Sequence, residues 1–154
     1  MGVGKTSVSK VLSNRLNLPY YDTDDLIIQQ HGDISQLILS EGELRFRDIE
    51  YEVLVNLIQR PSSIISTGGG IVTNQLSRDL LSAAKFVVWL RASFETVQYR
   101  INCDLDNDRP LADDRIKVRY DTRQSYYESC ASFTVNVDSL TIEEVAEKII
   151  NRYG

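Results

Sequence analysis

Gly2-Val3-Gly4-Lys5-Thr6 runs straight into an amphipathic stretch, and that join constrains the fold more than any other feature of the chain. It matches the tail of the phosphate-binding loop G-x-x-x-x-G-K-[ST], without the first glycine. The chemistry needs these residue types. Glycines let backbone N–H groups converge on phosphate oxygens, and the N-terminus of the following helix adds partial positive charge. Lys5 is placed to neutralise the β- and γ-phosphates, and the Thr6 hydroxyl to ligate Mg2+. A glycine-rich tail before an ordinary helix is the plainer reading, and only the motifs further along argue against it. Such a loop follows a strand of ~5–6 residues. Here the chain starts inside the loop, so Met1 reads as an internal loop residue and the start as assigned too late or truncated.

Beyond this join, short apolar runs alternate with longer amphipathic ones, the pattern of β/α alternation around a parallel sheet. The 154 residues suffice for one domain with its own core. The spacing predicts helices over 6–16, 24–30, 34–39, 42–59, 75–84, 94–102, 115–129 and 141–152. It predicts a very short strand at 20–21 and buried strands at 63–66, 86–90 and 133–137. Thr141 and Glu144 form a capping box at the start of the last helix. Residues 103–114 read as a polar loop, with five aspartates (104, 106, 108, 113 and 114) around Arg109-Pro110.

Several residue groups carry chemistry. Asp22-Thr23-Asp24 ends the first strand, where α/β sheets bind ligands. One carboxylate can hold Mg2+ through water while the other accepts a hydroxyl proton. The plainer reading makes one of them a helix N-cap. Arg47 and Glu50 share a helix face at i,i+3, so Glu50 can orient Arg47 toward a carboxylate, against the alternative of a weak surface ion pair. Phe46 points elsewhere, toward the core or a pocket wall. Gly68-Gly69-Gly70 uses three of the eight glycines directly after a strand, which suits backbone lying close to a ligand. Arg109 is either part of a solvated loop or a lid residue that closes over phosphates. Arg115, Arg119 and Arg123 form one helix stripe, of which at least one arginine can point into a cleft.

Together these residues resemble shikimate kinase, within the P-loop nucleoside-monophosphate-kinase-like fold. The resemblance runs from Gly2 to about Val137. It rests on Asp22-Thr23-Asp24, on Gly42-Glu43 followed by Phe46-Arg47-x-x-Glu50, and on Thr67-Gly68-Gly69-Gly70. Arg109-Pro110-Leu111 matches the family's lid, and Arg123, ahead of Tyr127, its second carboxylate-binding arginine. The implied fold is a single three-layer α/β/α P-loop kinase domain over residues 1–154, with a parallel sheet of order 2-3-1-4-5, substrate-binding helices at about 24–60 and a lid at about 103–114. Strand 1, the central one, is absent from this chain, so the 154-residue form is expected to be unstable or inactive. The implied activity is ATP-dependent phosphorylation of the 3-hydroxyl of shikimate, in chorismate and aromatic amino-acid synthesis. Gly2, Val3, Gly4, Lys5, Thr6 and Arg109 would hold ATP, and Thr6 and Asp22 would serve Mg2+. Asp24, Arg47, Gly69 and Arg123 would bind shikimate. Asp24, Lys5 and Arg109 would carry catalysis, and Arg100 is a weaker candidate near the adenine.

Composition narrows the alternatives. A net charge of −5 argues against general binding of nucleic acid or an anionic membrane surface. Cys103 and Cys130 make no disulfide framework or zinc knuckle, and the single histidine, His31, makes no multi-histidine metal site. The expected setting is cytoplasmic and monomeric. Two rivals remain: a gluconate-type small-metabolite kinase, which would share the P-loop and lid but not carry both the Phe46-Arg47-x-x-Glu50 pattern and the triple glycine, and a truncated, non-catalytic nucleotide-binding protein.

Overall fold

A computed structural model of the chain describes residues 3–104 and 114–154. Helix α1 (Lys5–Leu16) opens at Gly4, whose φ of 82° is left-handed and suits glycine, and closes at Asn17, also left-handed. Strand β1 (Tyr20–Asp22) leads into α2 (Thr23–His31), α3 (Ile34–Glu41) and α4 (Glu43–Ile58). Asp22 and Asp33 cap α2 and α3 by accepting from the N–H groups of Asp24 and Gln36. Strand β2 (Ile64–Ser66) runs into a 3-10 turn (Ile71–Thr73) and α5 (Gln75–Ala83). Strand β3 (Val88–Arg91), α6 (Phe94–Asp104), α7 (Asp114–Cys130), β4 (Phe133–Asn136) and α8 (Ile142–Tyr153) complete the order. The capping box of α8 is formed from both sides: Thr141 Oγ1 accepts from the Glu144 N–H at 3.2 Å, and Glu144 accepts from the Thr141 N–H at 2.8 Å.

The strands form two parallel pairs. In one, Tyr20, Tyr21 and Asp22 of β1 lie beside Ile64, Ile65 and Ser66 of β2. In the other, Val88 to Arg91 of β3 lie beside Phe133 to Asn136 of β4. Among the described residues no strand pairs with the inner edges of β2 and β3, and no ladder joins the two pairs. A cavity of about 600 Å3 separates them, lined by Ile64, Ile65, Val88 and Leu90 and roofed by Val8 and Leu12 of α1. The pairs fit the outer positions of the order 2-3-1-4-5.

Three apolar clusters hold the fold. The first joins α1, α6 and α8 through Val8, Leu12, Val97, Ile101, Val145, Ala146 and Ile149. The second joins α2, α3 and α4 through Ile27, Leu37, Phe46, Ile49, Val53 and Leu57. The third seats the 3-10 turn, with Leu54, Ile71 and Val72 packed against Tyr126 and Tyr127.

Three expectations need correction. The strands expected to be buried are only partly so: Ile64, Ile65 and Val88 to Leu90 are half-buried, because they face the cavity rather than another strand. On β4, Thr134 and Asn136 are exposed while Val135 is buried, the alternation of a strand solvated on one face. Cys103 and Asp104 close α6 and Asp114 opens α7, rather than belonging to a loop. No helix breaker intervenes there, since the first proline after Phe94 is Pro110.

Candidate active site

Two elements bring the charged residues to one edge of the β1–β2 pair. The first turn of α1 leaves its N–H groups free of a side-chain cap at Gly4, the geometry that suits an anion. Lys5 follows and is half-buried. Val3 packs its side chain into the first apolar cluster, so only its backbone can serve a ligand, and Gly2 lies outside the described residues. The Tyr20 hydroxyl donates to Asp22 Oδ2 at 3.0 Å and has the hydroxyls of Ser66 and Thr6 beside it. Burial, and then the Asp22 charge, raise the Tyr20 pKa, so it stays a donor. Thr6 and Asp22 therefore meet at one phenol. A hydroxyl and a carboxylate are hard oxygen donors, which fit Mg2+. Asp22 is also the N-cap foreseen by the plainer reading, since its Oδ1 accepts from the Asp24 N–H at 2.9 Å.

Asp24 sits between the two halves of the site. Burial raises its pKa, as does the charge of Asp22, while Lys5 on one side and Arg47 on the other oppose the rise. Arg47 is clamped: Nη1 donates to Glu50 Oε2 at 2.5 Å and Nη2 to Glu43 Oε1 at 2.9 Å. The side chain of Glu50 is 2% exposed and that of Arg47 14%, so this pair is not the weak surface bridge considered above. Burial works against the Arg47 charge, yet the two glutamates outweigh it and raise its pKa. Burial raises the Glu50 pKa despite Arg47. Hydrogen bonding to Arg47 lowers that of the more exposed Glu43. Arg47 Nε is buried and has no partner among the described residues, so at least this donor remains unused. Phe46 is in the core at 5% exposure.

The triple glycine also has a role within the protein itself. A Cβ on Gly68 would lie 2.7 Å from Asp24 Oδ1 and 2.9 Å from Glu50 Oε1, and one on Gly70 would lie 2.6 Å from Arg47 Cζ. The close approach is thus to the site's own side chains, which bare backbone allows to meet. Positive φ is not the reason, since Gly70 has φ −82°. The Gly68 N–H donates to Thr23 Oγ1 at 3.1 Å, and the Gly69 carbonyl accepts from the Tyr127 hydroxyl at 2.6 Å.

On α7 Arg123 is the half-buried arginine of the three, and its charge bears on Glu43, Glu50 and Tyr127. Arg115 and Arg119 are exposed, although the Arg119 charge also reaches Glu43. Arg100 donates to the Val137 carbonyl at 3.4 Å, at the end of β4. Arg109 and the other residues of the expected lid between 105 and 113 lie outside the described residues. Tyr20, Thr23 and Tyr127 were not singled out as site residues. Only Tyr127 carried a signal, one helical turn beyond Arg123 on the same face.

A family model described as "Shikimate kinase" matches residues 1–153. The chain belongs to the shikimate kinase family. A family member from Streptococcus thermophilus is 42% identical over 156 residues, which cover 97% of this chain and 93% of the relative. One from Enterococcus faecalis is 34% identical over 157 residues, covering 99% and 93%. Among solved structures, shikimate kinase from Acinetobacter baumannii in complex with shikimate has a TM-score of 0.89 at 29% identity, covering 99% of this chain and 88% of that one. The enzyme from Aquifex aeolicus has a TM-score of 0.84 at 32% identity, covering 99% and 90%. These matches span both strand pairs and the residues between them, so the fold is the α/β P-loop kinase fold.

Proposed function

We propose that this chain transfers the γ-phosphoryl group of ATP to the 3-hydroxyl of shikimate, giving shikimate 3-phosphate for chorismate and aromatic amino-acid synthesis. The observation that carries the reading is the Arg47 guanidinium, clamped by Glu43 and Glu50 against Gly70 with its Nε unpaired among the described residues. It is a preformed carboxylate receptor beside a half-buried aspartate. A carboxylate on an alcohol-bearing ring is the ligand that this pairing suits.

Position supports most of these roles, and the family resemblance alone supplies that of Arg109. The first-turn N–H groups of α1 and Lys5 hold the β- and γ-phosphates, and Arg109, outside the described residues, is assigned to ATP by the resemblance. Arg47 and Arg123 hold the shikimate carboxylate, and the Gly69 backbone lies against the ring. Asp24 accepts the hydrogen of the 3-hydroxyl and orients its oxygen toward phosphorus. As the new O–P bond forms, the bond from the γ-phosphorus to the bridging oxygen of ADP breaks, and the hydroxyl proton passes to Asp24. The raised pKa of Asp24 makes it a better acceptor than an ordinary aspartate. Thr6 and Asp22 would hold Mg2+, which when bound neutralises charge on the phosphates. Beyond that, phosphoryl transfer needs mainly alignment and neutralisation.

Among the described residues no helix is long and apolar enough to cross a membrane. We place the enzyme in the cytoplasm as a monomer with small-molecule partners only. Its free cysteines, Cys103 exposed and Cys130 buried, suit a reducing compartment.

One observation favours a second reading, nucleotide binding without turnover. The uncapped first turn of α1 and Lys5 suit a polyphosphate with no help from the acceptor side. A coupled assay for ADP release with shikimate or gluconate, together with calorimetric titration of ATP and of shikimate, decides between them. Turnover with shikimate alone supports the kinase. ATP binding without shikimate binding supports the second reading, and turnover of gluconate overturns both.

A further inference from the structure

The triple glycine is the most freely mobile backbone in the site by composition, yet it forms the wall against which Asp24, Glu50 and Arg47 stand. Something must hold it. Thr23 holds its start through the Gly68 N–H, and Thr73 holds its end, donating to the Gly70 carbonyl at 2.7 Å. The middle is held from across the molecule by a residue 58 positions away, Tyr127.

We propose that Tyr127 is a positioning residue of the acceptor site, whose hydroxyl, donating to the Gly69 carbonyl, sets the glycine wall behind Arg47 and ties it to the helix that carries Arg123. The ring itself cannot wander. It packs on Trp89 of β3 with centroids 5.7 Å apart and lies in the third apolar cluster with Leu54, Ile71 and Val72. The hydroxyl is therefore presented from a rigid base. A peptide group is planar and trans, so fixing the Gly69 carbonyl aims the Gly70 N–H the opposite way and fixes the turn's plane. Gly70 is the residue against which the Arg47 guanidinium rests. The same tyrosine stands one helical turn after Arg123 and beside its guanidinium. One hydroxyl thereby couples the two arginines proposed for the carboxylate, and among the described residues its hydrogen bond runs to the glycine wall rather than to α1. Burial keeps the phenol protonated, although Arg123 and Arg47 pull the other way.

This inference rests on the kinase reading above, and its test separates the two. Wild-type chain and Tyr127→Phe are compared for KM of shikimate, KM of ATP, calorimetric Kd for shikimate, and melting temperature. The phenylalanine keeps the ring on Trp89 and removes only the donor. Losing one hydrogen bond at a site that must stay ordered predicts a roughly three- to tenfold rise in KM and Kd for shikimate. The KM for ATP should stay within about twofold, since uniform loss of binding would move both. A melting temperature unchanged alongside the shikimate defect supports positioning. Equal rises in both KM values, or an unchanged shikimate Kd, overturns it. A wild-type chain that neither binds nor phosphorylates shikimate overturns the kinase reading itself, before any variant is compared.

Discussion

Asp24, Arg47 and Glu50 are held in place by other parts of the protein, whereas the first turn of α1 has no side-chain cap at all. The acceptor side of the site rests on the cluster built from α2, α3 and α4, with Phe46 and Ile49 beneath Arg47 and Glu50. The phosphate side rests on a different cluster, shared by α1 and α8, with a cavity under it. The difference teaches how two ligands of like charge are sorted. The acceptor side binds through charged side chains that are already paired, which gives shape and selectivity. The phosphate side offers bare N–H groups and one lysine, which any polyphosphate can satisfy.

The largest effects should come from removing the central cation of each side. Arg47→Ala should lower kcat/KM by roughly 10²–10³-fold, as expected for loss of charge-assisted hydrogen bonds to a carboxylate. Calorimetry should show shikimate binding weakened and ATP binding largely kept. Lys5→Ala should show the reverse, ATP binding lost and shikimate binding kept. If either variant loses both ligands equally, the two sides are not independent and the contrast breaks down.

Gly70→Ala sharpens the comparison on the acceptor side. The added methyl would meet the far end of a flexible side chain, so the chain can fold with the guanidinium pushed aside. We expect a rise in the shikimate KM of about tenfold, set by loss of one well-placed charged contact, with the KM for ATP nearly unchanged. A similar rise in both would mean that the glycine wall serves the phosphates too.

The division was partly legible in the sequence, and the reasons differ by residue. The Arg47–Glu50 pair and the capping box of α8 were readable because both partners lie within one helical turn. Arg123 was singled out only by the family resemblance, because Arg115 and Arg119 share its period and the stripe alone left open which arginine points into the cleft. The packing of Gly68 against Asp24 and Glu50 was not readable, because those side chains reach it from separate helices, a meeting that local pattern does not encode. The 3-10 turn at Ile71–Thr73 was missed, since three residues are too short for any period to register. The strands were found in place, but their burial was overestimated because an apolar run looks the same beside a cavity as inside a sheet.

A pH profile gives a smaller but specific effect. Burial and the Asp22 charge hold the Asp24 pKa above its ordinary 3.8. The acid limb of kcat/KM should therefore lie above the range of an exposed aspartate and vanish in Asp24→Asn, whose residual rate should be flat there. The linkage to stability has the opposite sign. In the window between the ordinary value and the raised one, the folded state binds more protons than the unfolded state. Stability should therefore fall as pH rises through that window, and Asp24→Asn should remove this slope. An acid limb at the ordinary aspartate position would show that the surroundings of Asp24 are as open to water as those of α1.

The smallest effect tests whether the two supporting clusters are independent. Thr141 and Glu144 fasten the start of α8, and α8 packs on α1 through Val145, Ala146 and Ile149 against Val8 and Leu12. Thr141→Ala removes the cap and should lower the melting temperature by about 2–4 °C. The loosened end lies on the helix that backs the phosphate side, while α2, α3 and α4 belong to the other cluster. Any kinetic change should then appear as a slightly higher KM for ATP, with the Kd for shikimate unmoved. A shift in shikimate affinity from a cap on α8 would mean that the clusters communicate across the cavity, and that the separation of the two sides is geometric but not energetic.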